Sequence, residues 1–287
     1  MKMKTLAKKI AKAILSQPRN KVSVEISTID HQHILDGQKI VITGGSKGIG
    51  LAMAQKFISE GAKVLITGRN EDALRTAIQS MDSSERVFFM IHDMESETNF
   101  QTFLNLCAEK LGGVDSVVLN AGISFHEGNI LNVTQEGFDR QFNVNLRSGY
   151  FLAQAFINNK LDRQEKGNLL FLSSETAAKC VDIPYGLTKA AINSLVGGLA
   201  RRVYQRGIRV NAIAPGVTYT DMTRGNRIIV DDFANNSAAG RFLLPKEIAE
   251  VACFLLSKAS MCITGEILYC DAGNHLKING DTEGYAL

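Results

Sequence analysis

From residue 38 onward, short apolar runs alternate with longer stretches whose apolar residues recur at helical spacing. "KIVIT" (39–43), "KVLIT" (63–67), "VFFMI" (87–91), "VDSVVLN" (114–120), "NLLFLS" (168–173), "RVNAIA" (209–214) and "EILYC" (266–270) read as strands. Helical text lies between most of them, at 50–61, 71–80, 97–110, 134–160, 185–206 and 245–257. Strands that are nearly continuous in apolar residues and alternate with helices predict a parallel sheet buried on both faces. The expected fold class is therefore α/β: a Rossmann-like, doubly wound parallel sheet in three α/β/α layers. No internal repeat, low-complexity linker or Pro-rich hinge breaks the pattern. One domain is expected over 36–275, with an arm at 1–35 and a tail at 276–287.

Composition leaves this picture unchanged and charge adds to it. The chain has 287 residues, 45% hydrophobic and 21% charged, as an ordinary soluble globular protein does. No run approaches the roughly 18 consecutive apolar residues of a membrane span. The five cysteines form no C-x-x-C pair, which suggests reduced thiols and a cytoplasmic setting. The histidines show no ligand spacing, so no metal site is expected. Of the 32 cations, seven fall within residues 1–24 without a single acid, so a basic arm precedes a mildly acidic body. Met3, Leu6, Ile10 and Ile14 fall at helical intervals in that arm. A helix docked on the body or on a sister subunit is the preferred reading; a disordered arm and a helix lying on a membrane surface are the others. Nucleic acid is not an expected partner, because no aromatic residues interleave with the lysines.

The candidate chemistry begins at "TGGSKGIG", Thr43 to Gly50, between the first strand and the first helix. Glycines there allow a tight turn and close backbone approach to a pyrophosphate at the helix N-terminus. The spacing is T-G-x-x-x-G-x-G, not the G-x-G-x-x-G of the common dinucleotide fingerprint. Further along, "YGLTK" places Tyr185 and Lys189 four apart on one helical face. An ammonium beside a phenol favours the phenolate and suits a general acid or base. In dinucleotide sites an acid about 20 residues past the glycines holds the ribose hydroxyls. Here Gly68 and Arg69 follow "KVLIT" instead, and Lys47 adds a second cation that can face a 2′-phosphate.

Together with "NAG" (120–122), "NVNL" (143–146), "LSS" (172–174) and "NAIAPG" (211–216), these motifs make the chain resemble the classical short-chain dehydrogenases/reductases over about 36 to 275. The resemblance implies Tyr185 as the proton donor to a carbonyl oxygen and Lys189 as the group that holds the nicotinamide ribose and depresses the Tyr185 pKa. It implies that Ser174 positions the carbonyl, though the adjacent Ser173 could also reach it, and that Asn145 carries a water linking Lys189 to solvent. It implies an NADP (NADPH) site lined by Gly44, Ser46, Lys47, Gly48, Ile49, Gly50, Arg69, Asp93, Asn120, Ala121, Gly122, Pro215, Gly216 and Thr220, with Tyr185 and Lys189. The interval from Ser174 to Tyr185 is shorter than is common in the family, so "ETAAKCVDI" should be a trimmed wall of the substrate pocket.

The segment 217–241 is polar and glycine-punctuated, as a mobile lid over the substrate should be. "TDMTR" and "AGR" resemble the 3-oxoacyl-carrier-protein reductases, which dock an acidic carrier on basic residues. Arg206 matches one such position, while the other falls at Glu165, with Lys166 beside it. The expected substrate is thus a carbonyl compound that is either carrier-bound or a free small ketone. A non-catalytic NADP-binding sensor or scaffold is the remaining reading, and the retention of Asn145, Ser174, Tyr185 and Lys189 speaks against it. The resemblance further implies a homotetramer paired through the helices at 134–160 and 185–206, with a second contact near 266–270.

Overall fold

The computed structural model describes residues 33–81, 85–96, 99–224 and 238–276. Most of the basic arm, the centre of the expected lid and the tail from 277 lie outside the described residues. Seven parallel strands form one sheet: β1 (Lys39–Thr43), β2 (Lys63–Gly68), β3 (Val87–Ile91), β4 (Ser116–Leu119), β5 (Gly167–Leu172), β6 (Ile208–Pro215) and β7 (Ile267–Cys270). Their spatial order is β3-β2-β1-β4-β5-β6-β7. The strand order therefore reverses direction at β1, which pairs with β2 on one side (Val41 opposite Leu65) and with β4 on the other (Val41 opposite Val117). In sheets of this kind ligands bind in the crevice beyond the carboxyl ends of the strands at the reversal.

The helices are α1 (Gly48–Ser59), α2 (Glu71–Gln79), α3 (Phe100–Leu111), α4 (Gln135–Phe142), α5 (Ser148–Arg163), α6 (Pro184–Val203), α7 (Asp221–Arg224) and α8 (Pro245–Leu256). Their starts follow local chemistry. Asn70, Asn99 and Thr134 cap α2, α3 and α4 by accepting from Ala73 N, Thr102 N and Gly137 N. Pro184 opens α6 at a position where its missing N–H costs nothing. Gly112 closes α3 in the left-handed conformation, at φ 76.

Because side chains alternate across a strand, each strand feeds two cores. Ile40, Ile42, Val64, Ile66, Leu170 and Leu172 pack with Met53, Phe57, Ile248 and Leu255 from α1 and α8. Val41, Leu65, Leu169 and Phe171 pack on the opposite face with Phe103, Leu152, Phe156 and Val196 from α3, α5 and α6. Each fully buried side chain of this size contributes about 1.5–3 kcal/mol relative to exposure. A buried arginine ties the far edge together. Arg209 on β6 donates to the carbonyls of Leu255, Ser257, Ser260 and Ile263, at the end of α8 and just beyond it.

The expected helix over 134–160 is divided in the structure. A π-helical segment, Asn143–Arg147, separates α4 from α5. Such single-turn widenings shift the side-chain register locally and concentrate at functional sites. Here the widened turn carries Asn145.

Candidate active site

The cleft opens where the strand order reverses, and its walls are the segments that leave the carboxyl ends of β1 through β6. It encloses about 730 Å³, within the range of cofactor and substrate sites. One end is the glycine loop. Gly44 holds φ 67, a left-handed conformation that ordinary side chains resist. A Cβ on Gly50 would stand 2.4 Å from Gly44 O and 2.6 Å from Asn120 Nδ2, so the loop closes only around a bare backbone. Asn120 makes this possible by donating to Thr43 O and Gly44 O, both at 2.9 Å. Thr43 Oγ1 in turn accepts from Asn120 N and Ala121 N at 3.1 Å. β1 and β4 are thereby tied together at the point where a pyrophosphate would approach.

Ser46, Lys47, Gly48, Ile49, Arg69, Asp93, Ala121, Gly122, Pro215, Gly216 and Thr220 all line this cleft. Gly68 ends β2 without a carboxylate, and a Cβ there would meet Ser46 Oγ at 3.4 Å, an ordinary contact. Lys47 forms an ion pair with Asp221 on α7 at 3.3 Å, between two exposed side chains. Thr67 Oγ1 is buried without a hydrogen-bond partner on the cleft wall. A bare-backbone loop at a helix N-terminus and an orphaned hydroxyl fit the pyrophosphate of a dinucleotide.

At the other end stand Ser174, Tyr185 and Lys189. Ser174 follows β5 and lines the cleft with Tyr185, where its hydroxyl lowers the phenol pKa. Ser173 is committed elsewhere: its hydroxyl donates to Asn193 Oδ1 at 2.6 Å and lies 3.4 Å from Lys189 O. The structure thus brings Ser174, not Ser173, to the tyrosine. Lys189 is buried, with its Nζ donating to Leu172 O at 2.6 Å and lying 5.6 Å from the Tyr185 ring centroid. Burial pushes its ammonium down to about 8. The Tyr185 phenol shifts in the direction opposite to expectation. Burial pushes it up, the Ser174 hydrogen bond offsets part of this, and the Glu175 carboxylate pushes it up further. Burial of the phenol outweighs the lysine, and Ser174 is the group that lowers its pKa.

Asn145 is turned towards the loop after β4. Its Oδ1 accepts from Ile123 N at 2.8 Å, and its Nδ2 donates to Ile123 O at 2.9 Å and to Thr188 Oγ1 at 3.3 Å. Gly122 leaves space between this amide and the lysine. A Cβ there would lie 3.4 Å from Asn145 Oδ1 and 3.7 Å from Lys189 Nζ.

Several wall residues escape sequence reasoning. His126 closes one side, its Nε2 lying 3.1 Å from the carbonyl of Met222 on α7. Glu127 and Glu175 add carboxylates to the wall. Glu175 opens the "ETAAKCVDI" stretch expected to wall the substrate pocket, while His126 and Glu127 had no signal, since a loop does not reveal which way its side chains face. Among the described residues no cluster of His, Cys, Asp or Glu suits a metal ion, and no helix is long and apolar enough to cross a membrane.

The family model described as enoyl-(acyl carrier protein) reductase matches residues 44–275. A 3-oxoacyl-(acyl-carrier-protein) reductase of Chlamydia muridarum is 31% identical over 245 residues, covering 84% of this chain and 98% of the relative. Dehydrogenase/reductase SDR family member 6 of Rattus norvegicus is 31% identical over 252 residues, covering 83% and 98%. Among solved structures, the 3-ketoacyl-(acyl-carrier-protein) reductase of Brucella melitensis complexed with NADH superposes with a TM-score of 0.77 at 28% identity, covering 84% of this chain and 100% of that one. With the reversed sheet, the glycine loop and the Ser174–Tyr185–Lys189 group, these likenesses show that the chain belongs to the short-chain dehydrogenase/reductase family of oxidoreductases, which bind a nicotinamide dinucleotide.

Proposed function

We propose that the protein is an NADPH-dependent reductase that converts a carbonyl group into a secondary alcohol, reversibly. The observation that carries this reading is the convergence of Ser174, Tyr185 and Lys189 on one wall of a cleft whose far end is the glycine loop. The dinucleotide, when bound, supplies the hydride. Tyr185 donates the proton to the carbonyl oxygen, and the Ser174 hydroxyl holds that oxygen beside the phenol. Lys189 binds the nicotinamide ribose and takes up the proton relay behind the tyrosine. The space beside Gly122, between Asn145 and Lys189, suits a water that passes the proton to solvent.

Preference for the 2′-phosphorylated dinucleotide is supported by the missing carboxylate after β2 and by Lys47 and Arg69 on the cleft wall. Replacing carboxylate by cation at this place favours a phosphate over a bare hydroxyl.

The substrate reading that follows from the relatives is a 3-oxoacyl chain on a carrier protein. A second reading, a free small ketone, is favoured by one observation. Glu165 stands where a carrier-docking base is expected, and it is bonded to the buried Lys160 at 2.7 Å. Glu127 and Glu175 on the wall disfavour anionic substrates in either case. We also propose a cytoplasmic homotetramer. Tyr150, Phe151 and Leu161 on α5 and Leu187 on α6 are exposed large apolar side chains on the two helices expected to pair.

The test is turnover of NADPH with carrier-linked 3-oxoacyl thioesters beside free ketones and sugars, for the natural protein and Tyr185→Phe. The variant should lose roughly 10²- to 10⁴-fold in turnover and bind NADPH almost unchanged. Undiminished turnover in Tyr185→Phe would end this reading.

A further inference from the structure

The fold treats two carboxylates on the cleft wall differently. Glu175, beside Gly216, is 3% exposed and has donors on both oxygens. Lys179 Nζ donates to its Oε1 at 3.2 Å, and Asn274 Nδ2 donates to its Oε2 at 2.7 Å. Its charge is balanced inside the protein. Glu127, on the loop after β4, is not provided for in this way. Its Oε1 accepts from Gln141 Nε2, a neutral amide on α4, at 2.6 Å. Its Oε2 is buried without a hydrogen-bond partner, and so is Oε1 of Gln141, a side chain that is 0% exposed. Among the described residues no cation pairs with Glu127. Arg140, close by in the chain, is engaged elsewhere. Its Nε donates to Glu95 Oε1 at 3.1 Å, and its guanidinium lies 5.5 Å from the Phe125 ring centroid. The His126 ring is turned to the carbonyl of Met222.

Glu127 also stands at a junction. It lines the cleft that holds Ser174 and Tyr185, and it lines a second hollow bounded by Phe125, Thr134, Glu136 and Arg140. A substrate long enough to leave the cleft on this side passes Glu127. A carboxylate drawn out of water with one neutral donor is short of compensation. A ligand that brings a positively charged donor supplies it; an apolar ligand leaves the deficit in place, and an anionic one is repelled. We propose that Glu127 determines specificity by pairing with an ammonium group of the substrate, so that the compound reduced is an amino ketone. The proposal rests on the reductase reading with Tyr185 as proton donor, and it takes the free-ketone branch of that reading. The redox step is the one given above. The amine is a handle and takes no part in it.

The probes are meta- and para-(aminomethyl)acetophenone, whose rigid rings keep the amine from closing on its own carbonyl, with their hydroxymethyl and ethyl counterparts. Each is assayed with NADPH and the full chain. In the natural protein, kcat/KM for the better aminomethyl isomer should exceed that of the matching ethyl compound by about 10- to 100-fold, with the hydroxymethyl compound between them. In Glu127→Gln, which keeps an acceptor for Gln141 and removes the charge, that ratio should fall to within about threefold of unity. The same ratio is read as dissociation constants by calorimetry on Tyr185→Phe loaded with NADPH, so it is decided whether or not these ketones turn over. The comparison on the natural protein requires no variant to fold. The proposal is overturned if neither kcat/KM nor Kd favours the ammonium over the ethyl group. It is also overturned if the hydroxymethyl compound gains as much as the aminomethyl one, or if the preference survives in Glu127→Gln. Retained turnover in Tyr185→Phe would instead refute the proton-donor reading and leave the binding ratios to judge Glu127.

Discussion

On the proposed reading, two adjacent serines divide structural from catalytic work, and each can be removed alone. Ser173 is 4% exposed and donates to Asn193 Oδ1 at 2.6 Å, while Asn193 Nδ2 reaches the Tyr269 hydroxyl at 3.4 Å. Ser173→Ala therefore removes one buried hydrogen bond that ties α6 to β5, and it leaves the Asn193 oxygen short of a donor. Losing the bond costs about 1 kcal/mol, and the partly buried acceptor brings the total to about 1–2 kcal/mol. For a domain of this size each kcal/mol lowers Tm by about 2–4 °C, so a fall on the order of 2–6 °C is expected. Turnover should change less than about threefold, since an unfolding penalty of this size leaves nearly all molecules folded at 25 °C. Ser174→Ala should do the reverse. Its Oγ accepts from Thr176 N at 3.2 Å and from Thr176 Oγ1 at 3.0 Å in a short turn, worth about 0.5–1 kcal/mol. Removing the donor that holds the carbonyl oxygen should lower kcat by about 10²-fold. NADPH oxidation kinetics and calorimetric Tm on both variants form the assay. If Ser173→Ala lost turnover as deeply as Ser174→Ala at unchanged Tm, the assignment of the two hydroxyls would be wrong.

The depressed Lys189 predicts a pH-dependent stability with a definite sign. Between its folded value of about 8 and its ordinary 10.5, the unfolded chain binds a proton that the folded one has released, so stability rises with pH across that window. Lys189→Met should therefore be more stable than the natural protein by an amount on the order of 2–3 kcal/mol below pH 8, and that advantage should shrink as pH rises towards 10.5. Denaturant titrations at several pH values check this, and a constant difference across the window refutes it. For cofactor choice, Gly68→Asp combined with Arg69→Ser should shift the NADPH/NADH ratio of kcat/KM towards NADH by about 10- to 100-fold. The added Cβ meets Ser46 Oγ at an ordinary 3.4 Å, and the new carboxylate repels a 2′-phosphate. Equal use of both dinucleotides by the natural protein would refute the roles given to Lys47 and Arg69.

The α/β class, the seven strands and the glycine loop were legible in the sequence because each rests on short-range rules. The nearly continuous apolar run "KVLIT" is buried on both faces beyond its first lysine, and Gly44 takes up a left-handed turn at its own position. Tyr185 and Lys189 were legible for the same reason, since helical spacing alone puts them on one face. Three things depended on tertiary structure. The π segment at Asn143–Arg147 interrupts a stretch whose periodicity reads as one helix, and its Asn145 bonds Ile123 in the loop after β4. The choice between Ser173 and Ser174 turns on Asn193, twenty residues away along the chain, which claims the first hydroxyl and leaves the second for the phenol. The direction in which Tyr185 shifts was misread from sequence, because spacing reports that a lysine is near but not that the phenol itself is buried. Local periodicity determines which face a side chain takes; desolvation and charge at the site depend on segments as distant as Gly216 and Asn274, and only the folded chain brings those together.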